Sequence, residues 1–205
     1  MDTPASHCEL LLIRHAESEW NASGRWQGHA DPPLSDHGLS QAQALAESLA
    51  QALGDERPRL LLSSDLRRAW QTAEAVGRSM GLAPHPDPRL RELDIGNWSG
   101  LERDEILARD PDGLARFEAG GLEVRPGGGE TRHEIRVRAR RTMAEWVEEN
   151  PIGLIIVVTH LGFLRALLPG EELGNAEWIR LTASDALSRR ARVETGRDEA
   201  QSTPL

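Results

Sequence analysis

Two apolar runs in this chain end on a histidine. Glu9-Leu10-Leu11-Leu12-Ile13 runs into Arg14-His15, and Leu154-Ile155-Ile156-Val157-Val158 runs into Thr159-His160. A third run, Arg59-Leu60-Leu61-Leu62-Ser63, delivers Ser64-Asp65-Leu66-Arg67-Arg68 at its carboxyl end. Open parallel sheets collect ligands off the carboxyl ends of their strands. Parallel pairing of these runs therefore places two histidines and at least two arginines at one cleft. That set suits phosphoryl transfer. Guanidinium groups grip phosphoryl oxygens bidentately and stay charged. A neutral imidazole attacks phosphorus to give a phosphohistidine that water then hydrolyses. A carboxylic acid beside the reacting oxygen supplies the proton that the leaving alkoxide needs.

Composition narrows the chemistry further. All 24 residues of the Lys+Arg count are arginine. Without lysine there is no Schiff-base amine and no P-loop lysine on a nucleotide phosphate. A net charge of −9 argues against a broad nucleic-acid surface and confines an anionic substrate to a local basic pocket. The one cysteine, Cys8, makes neither an internal disulfide nor a cysteine zinc site, and it fits a reducing compartment. No signal-peptide pattern opens the chain, and no apolar run approaches the roughly 18 residues of a membrane span. The expectation is a cytoplasmic protein without nucleic-acid or membrane partners, a monomer or homodimer. His15-Ala16-Glu17 also fits the His-x-Glu of zinc deaminases, but those need a later Pro-Cys-x-x-Cys that one cysteine cannot supply. The arginines beside His15 and near Asp65 would repel a cation, so no metal and no cofactor is expected.

The elements that must position these residues follow from periodicity. Residues 9–13, 59–63 and 154–158 read as buried strands, and 176–183 as a last strand. Ser35 or Asp36 caps a helix with Leu39, Ala42, Ala46, Leu49 and Leu53 on one face, ended by Gly54. Ser64 and Asp65 cap a second helix running to about Met80, closed by Gly81. The proline-rich 82–90 is extended, with a short edge strand. Residues 91–130 are least regular, with short helices near 101–109 and after Pro111. Thr131 to Glu134 forms a capping box for a helix with Ile135, Ala139, Met143 and Trp146 on one face, stopped by Asn150-Pro151. A short helix follows at 162–168. Strands alternating with helices predict an α/β fold, a three-layer α/β/α sandwich on a mostly parallel sheet. A single domain is expected over residues 1–184, and a disordered polar tail over 185–205.

Arg14-His15-Ala16-Glu17-Ser18-Glu19-Trp20-Asn21 resembles the Arg-His-Gly motif of the histidine phosphatase superfamily (phosphoglycerate mutase-like, branch 1), which carries Glu-Ser and Trp-Asn behind it. The resemblance continues in order. Arg25-Trp26-Gln27-Gly28, then Asp31 and Pro33-Leu34-Ser35, is similar to the family's loop into its first helix. Ser63 to Ala69 with Gln71-Thr72-Ala73 is similar to its second phosphate arginine. Glu92 precedes Leu93-Asp94-Ile95-Gly96-Asn97-Trp98-Ser99-Gly100, where the family keeps its acid. Pro126 to Thr131 is similar to its glycine-rich loop, and Val158-Thr159-His160 to its second histidine. Across about residues 8–182, six motifs in order carry the likeness.

The resemblance implies a phosphoglycerate mutase-like fold and a metal-independent phosphomonoesterase acting on a small phosphorylated metabolite. By it, His15 is the nucleophile, and Arg14 and Arg68 clamp the phosphoryl oxygens. His160 donates to the same oxygens, and Glu92 is the acid and then the base. Asn21, Gln27, Gly28 and Leu161 line the phosphate pocket. The family's mutases carry a tyrosine and a lysine soon after the acid. This chain has neither residue anywhere, which favours hydrolysis over mutase-type transfer. A phosphatase fold reused as a binding module would have lost the nucleophile, an arginine or the acid, and none is lost. Two positions depart from the family pattern. Ala16 stands where glycine is usual, so its φ is expected to be negative in a tight fit. Leu161 replaces the glycine after the second histidine and is expected to narrow the pocket. Arg67, His7, His29, His37, His85 and His133 read as ordinary surface or loop residues. His29 lies in a loop able to border the pocket, and Trp20, Trp26 and Trp98 are placed to wall it.

Overall fold

The two runs that end on histidine pair with each other. β1 (His7–Arg14) lies parallel to β4 (Ile152–Thr159), with Arg14 opposite Thr159. The structure, a computed structural model, describes residues 7–188 and the backbone of 194–196. β2 (Leu60–Ser63) is parallel to β4 on its other side and to β3 (His85–Pro86) at the edge. β5 (Trp178–Thr182) runs antiparallel to β1, and β6 (Glu194–Gly196) antiparallel to β5. The order is β3-β2-β4-β1-β5-β6, so the three catalytic-looking strand ends are adjacent.

Strand alternation divides the core in two. Leu11, Ile13, Leu61, Ile156 and Val158 face α2 (Asp36–Leu53) and α3 (Arg67–Met80), meeting Ala46, Leu49, Ala73 and Val76. Leu10, Leu12, Leu62, Ile155 and Val157 pack on the other side with α6 (Arg132–Glu149), α7 (Leu161–Leu167) and α8 (Ala183–Leu187), through Ile135, Met143, Phe163 and Ala186. The central strands are apolar on both faces because both faces are covered. The result is a three-layer α/β/α sandwich on a mostly parallel sheet. Two further helices, α4 (Arg103–Arg109) and α5 (Pro111–Glu118), belong to the irregular stretch. A single turn, α1 (Glu19–Ala22), follows His15.

Several local readings need correction. Leu39 is 48% exposed, and Leu45 takes its place on the buried face of α2. α3 begins at Arg67 behind Leu66, with no side-chain cap. The expected caps are engaged elsewhere, since Asp65 ion-pairs with Arg91 and the Ser64 hydroxyl meets His160. Trp146 is only half-buried, and its indole N–H donates to Asp87. Residues 185–187, assigned to the polar tail, complete α8 and bury Ala186. Residues 194–196 form the edge strand β6, which pairs through backbone and so needs no apolar run. The rest of that expected tail, 189–193 and 197–205, lies outside the described residues.

Candidate active site

The ends of β1 and β4 set the reactive centre. His15 and His160 are the residues next after the paired Arg14 and Thr159, and their ring centroids lie 5.1 Å apart. Both are buried. His15 Nδ1 lies 2.7 Å from the Ala16 carbonyl oxygen. A carbonyl only accepts, so Nδ1 carries the hydrogen and Nε2 keeps its lone pair. Burial holds the His15 imidazole well below its ordinary pKa, and the positive charges of Arg68 and Arg14 push the same way. His15 is thus neutral and oriented at neutral pH, with its Nε2 lone pair free. His160 is also held neutral, by burial first and then by Arg68. Its Nε2 lies 2.8 Å from Ser64 Oγ, which accepts from the Leu66 N–H at 3.3 Å. The Ser64 hydroxyl hydrogen is then free to donate to Nε2, leaving an N–H on Nδ1.

The two arginines are held by backbone rather than by carboxylates. Arg68 is fully buried on the first turn of α3 and donates to the Gly28 and Ala30 carbonyls at 2.9 and 2.8 Å. Burial pushes its guanidinium down to about 10, so it stays charged. Arg14 donates to the Leu173 carbonyl at 2.8 Å. Neither forms an ion pair among the described residues. Glu92 lies near enough to act on both charges without pairing with either, so the two guanidiniums leave the inner end of the cleft suited to an anion. Arg14 Nε, Arg68 Nε and His160 Nδ1 are all buried without a hydrogen-bond partner among the described residues. Unsatisfied buried donors are rare enough that each needs a reason, and a phosphoryl group offers three acceptors.

Arg14, His15, Asn21, Gln27, Gly28, Glu92 and Leu161 line a cavity of about 420 Å³. Arg68 and His160 stand behind its wall. Asn21 Oδ1 accepts from Ser18 N–H and Asn175 Nδ2, and Gln27 Oε1 accepts from the Ser18 hydroxyl at 2.7 Å. Both amide NH2 groups are therefore left to donate. Gly28 has φ +51°, and a Cβ there would meet Ile95 at 2.5 Å, so glycine alone fits. Glu92 Oε1 accepts from the Leu93 N–H at 2.8 Å, while His29 and Arg138 hold the Glu92 carbonyl at 2.8 and 3.1 Å. His29, read as an ordinary loop residue, thus supports the segment that carries the acid. Ala16 is fully buried with negative φ, and its N–H donates to Thr72 Oγ1 at 3.1 Å. The methyl fits, and Thr72 ties the His15 turn to α3 by donating onward to the Arg68 carbonyl.

Some supporting residues gave no sequence signal. Asn175 Nδ2 and the Ala176 N–H both donate to the His15 carbonyl, and Ala176 adopts φ +59° to do so. At Gly162 a Cβ would meet Glu92 Oε1 at 2.1 Å, so any side chain there would push the Glu92 carboxylate aside. The Gly after His160-Leu161 was the signal available for it. Among the described residues, no three His, Cys, Asp or Glu side chains cluster as metal ligands, and no helix is long and apolar enough to cross a membrane.

Known proteins resemble this chain in sequence and in fold. The profile of the histidine phosphatase superfamily (branch 1) matches residues 10–200. The glucosyl-3-phosphoglycerate phosphatase of Mycobacterium tuberculosis is 34% identical, over 94% of this chain and 95% of its own. The metal-independent phosphoserine phosphatase of Arabidopsis thaliana is 36% identical, over 78% of this chain and 66% of its own. The solved structure of mycobacterial glucosyl-3-phosphoglycerate phosphatase with VO3 superposes with a TM-score of 0.79 at 34% identity, covering 91% of this chain and 97% of that one. Profile, relatives and fold agree, and the chain belongs to the histidine phosphatase superfamily, branch 1.

Proposed function

We propose that this phosphatase hydrolyses a small phosphomonoester, without a metal, through a phosphohistidine on His15. The observation that carries the reading is a neutral imidazole, with its Nε2 lone pair free, beside the buried Arg68 and the partly buried Arg14, neither in an ion pair among the described residues and each with a buried, unpartnered Nε. In the first step His15 Nε2 bonds to phosphorus as the phosphorus–oxygen bond to the leaving group breaks. Glu92 gives its proton to that oxygen. Arg14, Arg68 and His160 Nδ1–H stabilise the charge on the three equatorial oxygens. The Ala16 carbonyl accepts from Nδ1–H and so supports the charge the ring gains. In the second step the Glu92 carboxylate takes a proton from water as its oxygen attacks phosphorus. The phosphorus–nitrogen bond breaks, phosphate leaves, and neutral His15 returns. Asn21, Gln27, the Gly28 backbone and Leu161 complete the phosphate pocket. Metal independence is supported by the arginines that line the centre and by the Arabidopsis relative's name. A cytoplasmic setting, which the lone buried Cys8 fits, and a monomer or homodimer belong to the same reading.

Hydrolysis of 4-nitrophenyl phosphate in excess chelator tests this, together with acid-labile phosphate labelling of the protein. Turnover and labelling that survive chelation support the reading. Turnover lost on chelation, or label that persists in His15→Ala, overturns it.

A further inference from the structure

The mouth of the cleft carries more positive charge than one phosphoryl group uses. Besides Arg14, it is lined by Arg25, Arg132, Arg136 and Arg165. Arg25 pairs with Glu102 and Glu105, and Arg165 with Glu172. Arg132 and Arg136 have no ion-pair partner among the described residues, and the adjacent carboxylates are committed: Glu130 to Arg138, Glu134 to Arg125. The two lie four residues apart on α6, with Ile135 of the same turn also lining the cavity, so they share the face toward it.

The contacts that hold Arg132 leave its charge without an anion among the described residues. Arg132 is the first residue of α6, where the helix dipole disfavours a cation. Its guanidinium sits 4.2 Å from the Phe117 ring centroid, donates to the Phe117 carbonyl at 3.2 Å, and keeps a buried Nε with no partner. It is the fourth such nitrogen among the described residues, and the other three belong to Arg14, Arg68 and His160. A fixed cation with an unsatisfied donor at a cavity wall is what anion recognition requires. Between the two basic groups the wall is apolar. Trp26 and Phe117 lie with ring centroids 5.8 Å apart, and Leu122 closes the side.

We propose that Arg132 and Arg136 form a second anion subsite, and that the substrate is a phosphomonoester bearing a further anionic group, with its connecting portion against Trp26 and Phe117. This rests on the phosphatase reading above and names the substrate class of the same site.

The test compares kcat/KM for phenyl phosphate with meta- and para-carboxyphenyl phosphates, ω-carboxyalkyl phosphates of increasing length, and hydroquinone bisphosphate. At least one doubly anionic ester is preferred by about tenfold or more, the factor that one charged hydrogen bond is worth. Whether carboxylates or the bisphosphate lead identifies the second anion. In Arg136→Gln that preference ratio collapses about tenfold, and Arg136→Lys restores part of it. Arg132→Met is the second variant, and because the readout is a ratio within one preparation, partial misfolding does not mimic it. Turnover of phenyl phosphate with no preference for any second anion overturns the subsite alone. No turnover of any ester overturns the phosphatase reading and the subsite with it. A ratio unchanged in both variants moves the second anion away from these arginines and overturns the assignment.

Discussion

The inner end of the cleft is made of strand termini, whereas its mouth is made of side chains carried by loops and helices. Arg14, His15 and His160 are fixed by the β1–β4 register, with Arg68 in the first turn of the helix that follows β2. The mouth residues Trp26, Phe117, Leu122 and Arg132 come from a loop, from α5, from the loop after it and from the start of α6. The inner end is largely buried and carries donors without partners among the described residues. The mouth is partly exposed, and its groups are held by side-chain packing, ion pairs and single hydrogen bonds. The contrast separates reaction from recognition: chemistry sits where the backbone dictates position, and substrate choice sits where side chains can be exchanged without disturbing the sheet.

The largest effect should come from the inner end. His15→Ala removes the nucleophile and should lower kcat by at least ~10⁴-fold, with loss of phosphate labelling, read by single-turnover assay on refolded and unrefolded protein alike. The small methyl lies in a rigid wall, so the fold should survive, which circular dichroism checks. A variant that still labels would move the nucleophile and dissolve the contrast.

Gly162→Ala comes next. Its Cβ would meet the Glu92 carboxylate oxygen at 2.1 Å, so the acid must shift. A misplaced general acid costs on the order of 10²-fold. The loss in kcat/KM, which reports the phosphorylation step and not the later hydrolysis, should be large with an alkyl phosphate and small with 4-nitrophenyl phosphate, whose leaving group needs no proton. An equal loss with both would mean that Gly162 serves packing and not the acid.

The inner end should also dominate the pH response. His15 and His160 titrate below their ordinary value because burial disfavours the cation. The unfolded chain, with histidines near 6.5, binds more protons than the folded one below that pH. Stability is therefore fully present above about pH 6.5 and declines as pH falls, by up to about 1.4 kcal/mol per pH unit for each histidine. Urea midpoints at pH 7.5, 6.5 and 5.5 read this directly. His160→Gln should flatten the slope by up to half, whereas Arg136→Gln at the mouth should leave it unaltered. An equal flattening by both would show that the response is not localised to the inner end.

The same contrast explains what the sequence made legible. β1, β2 and β4 are continuous Leu, Ile and Val runs buried on both faces, and such runs announce themselves. His15 and His160 follow those runs directly and could be located by reading to the end of each strand, whereas Arg68 lies further on, past Ser64 to Arg67, and is singled out by the family resemblance. Asn175, Ala176 and His29 could not be located. Their roles are single hydrogen bonds to carbonyls far away in sequence, made by residue types common in any loop. The Ser64 and Asp65 caps failed for a related reason. Both side chains had a better tertiary partner, His160 and Arg91, and local capping rules do not see such partners. α8 escaped because Ala183 and Ala186 bury little area each, too little to stand out of a polar stretch.

The smallest effect belongs to the mouth. Phe117 stacks with Trp26 and Trp98, each at 5.8 Å between centroids, and carries the Arg132 guanidinium on its face. Phe117→Leu keeps most of the apolar volume but removes two ring pairs and the cation–π contact, together about 2 kcal/mol. Part of that loss falls on folding, because Trp26 and Trp98 lose an edge. The rest falls on Arg132, which gains rotamer freedom and must be ordered again by each substrate. KM for a doubly anionic ester should therefore rise about threefold to fivefold, with a smaller change in kcat, since no reacting atom moves. Steady-state kinetics on that ester and on phenyl phosphate separate the two parts. A fall in kcat as large as the rise in KM, on both esters, would mean that the mouth positions the reacting phosphoryl group as well, and the division between the two ends of the cleft would have to be redrawn.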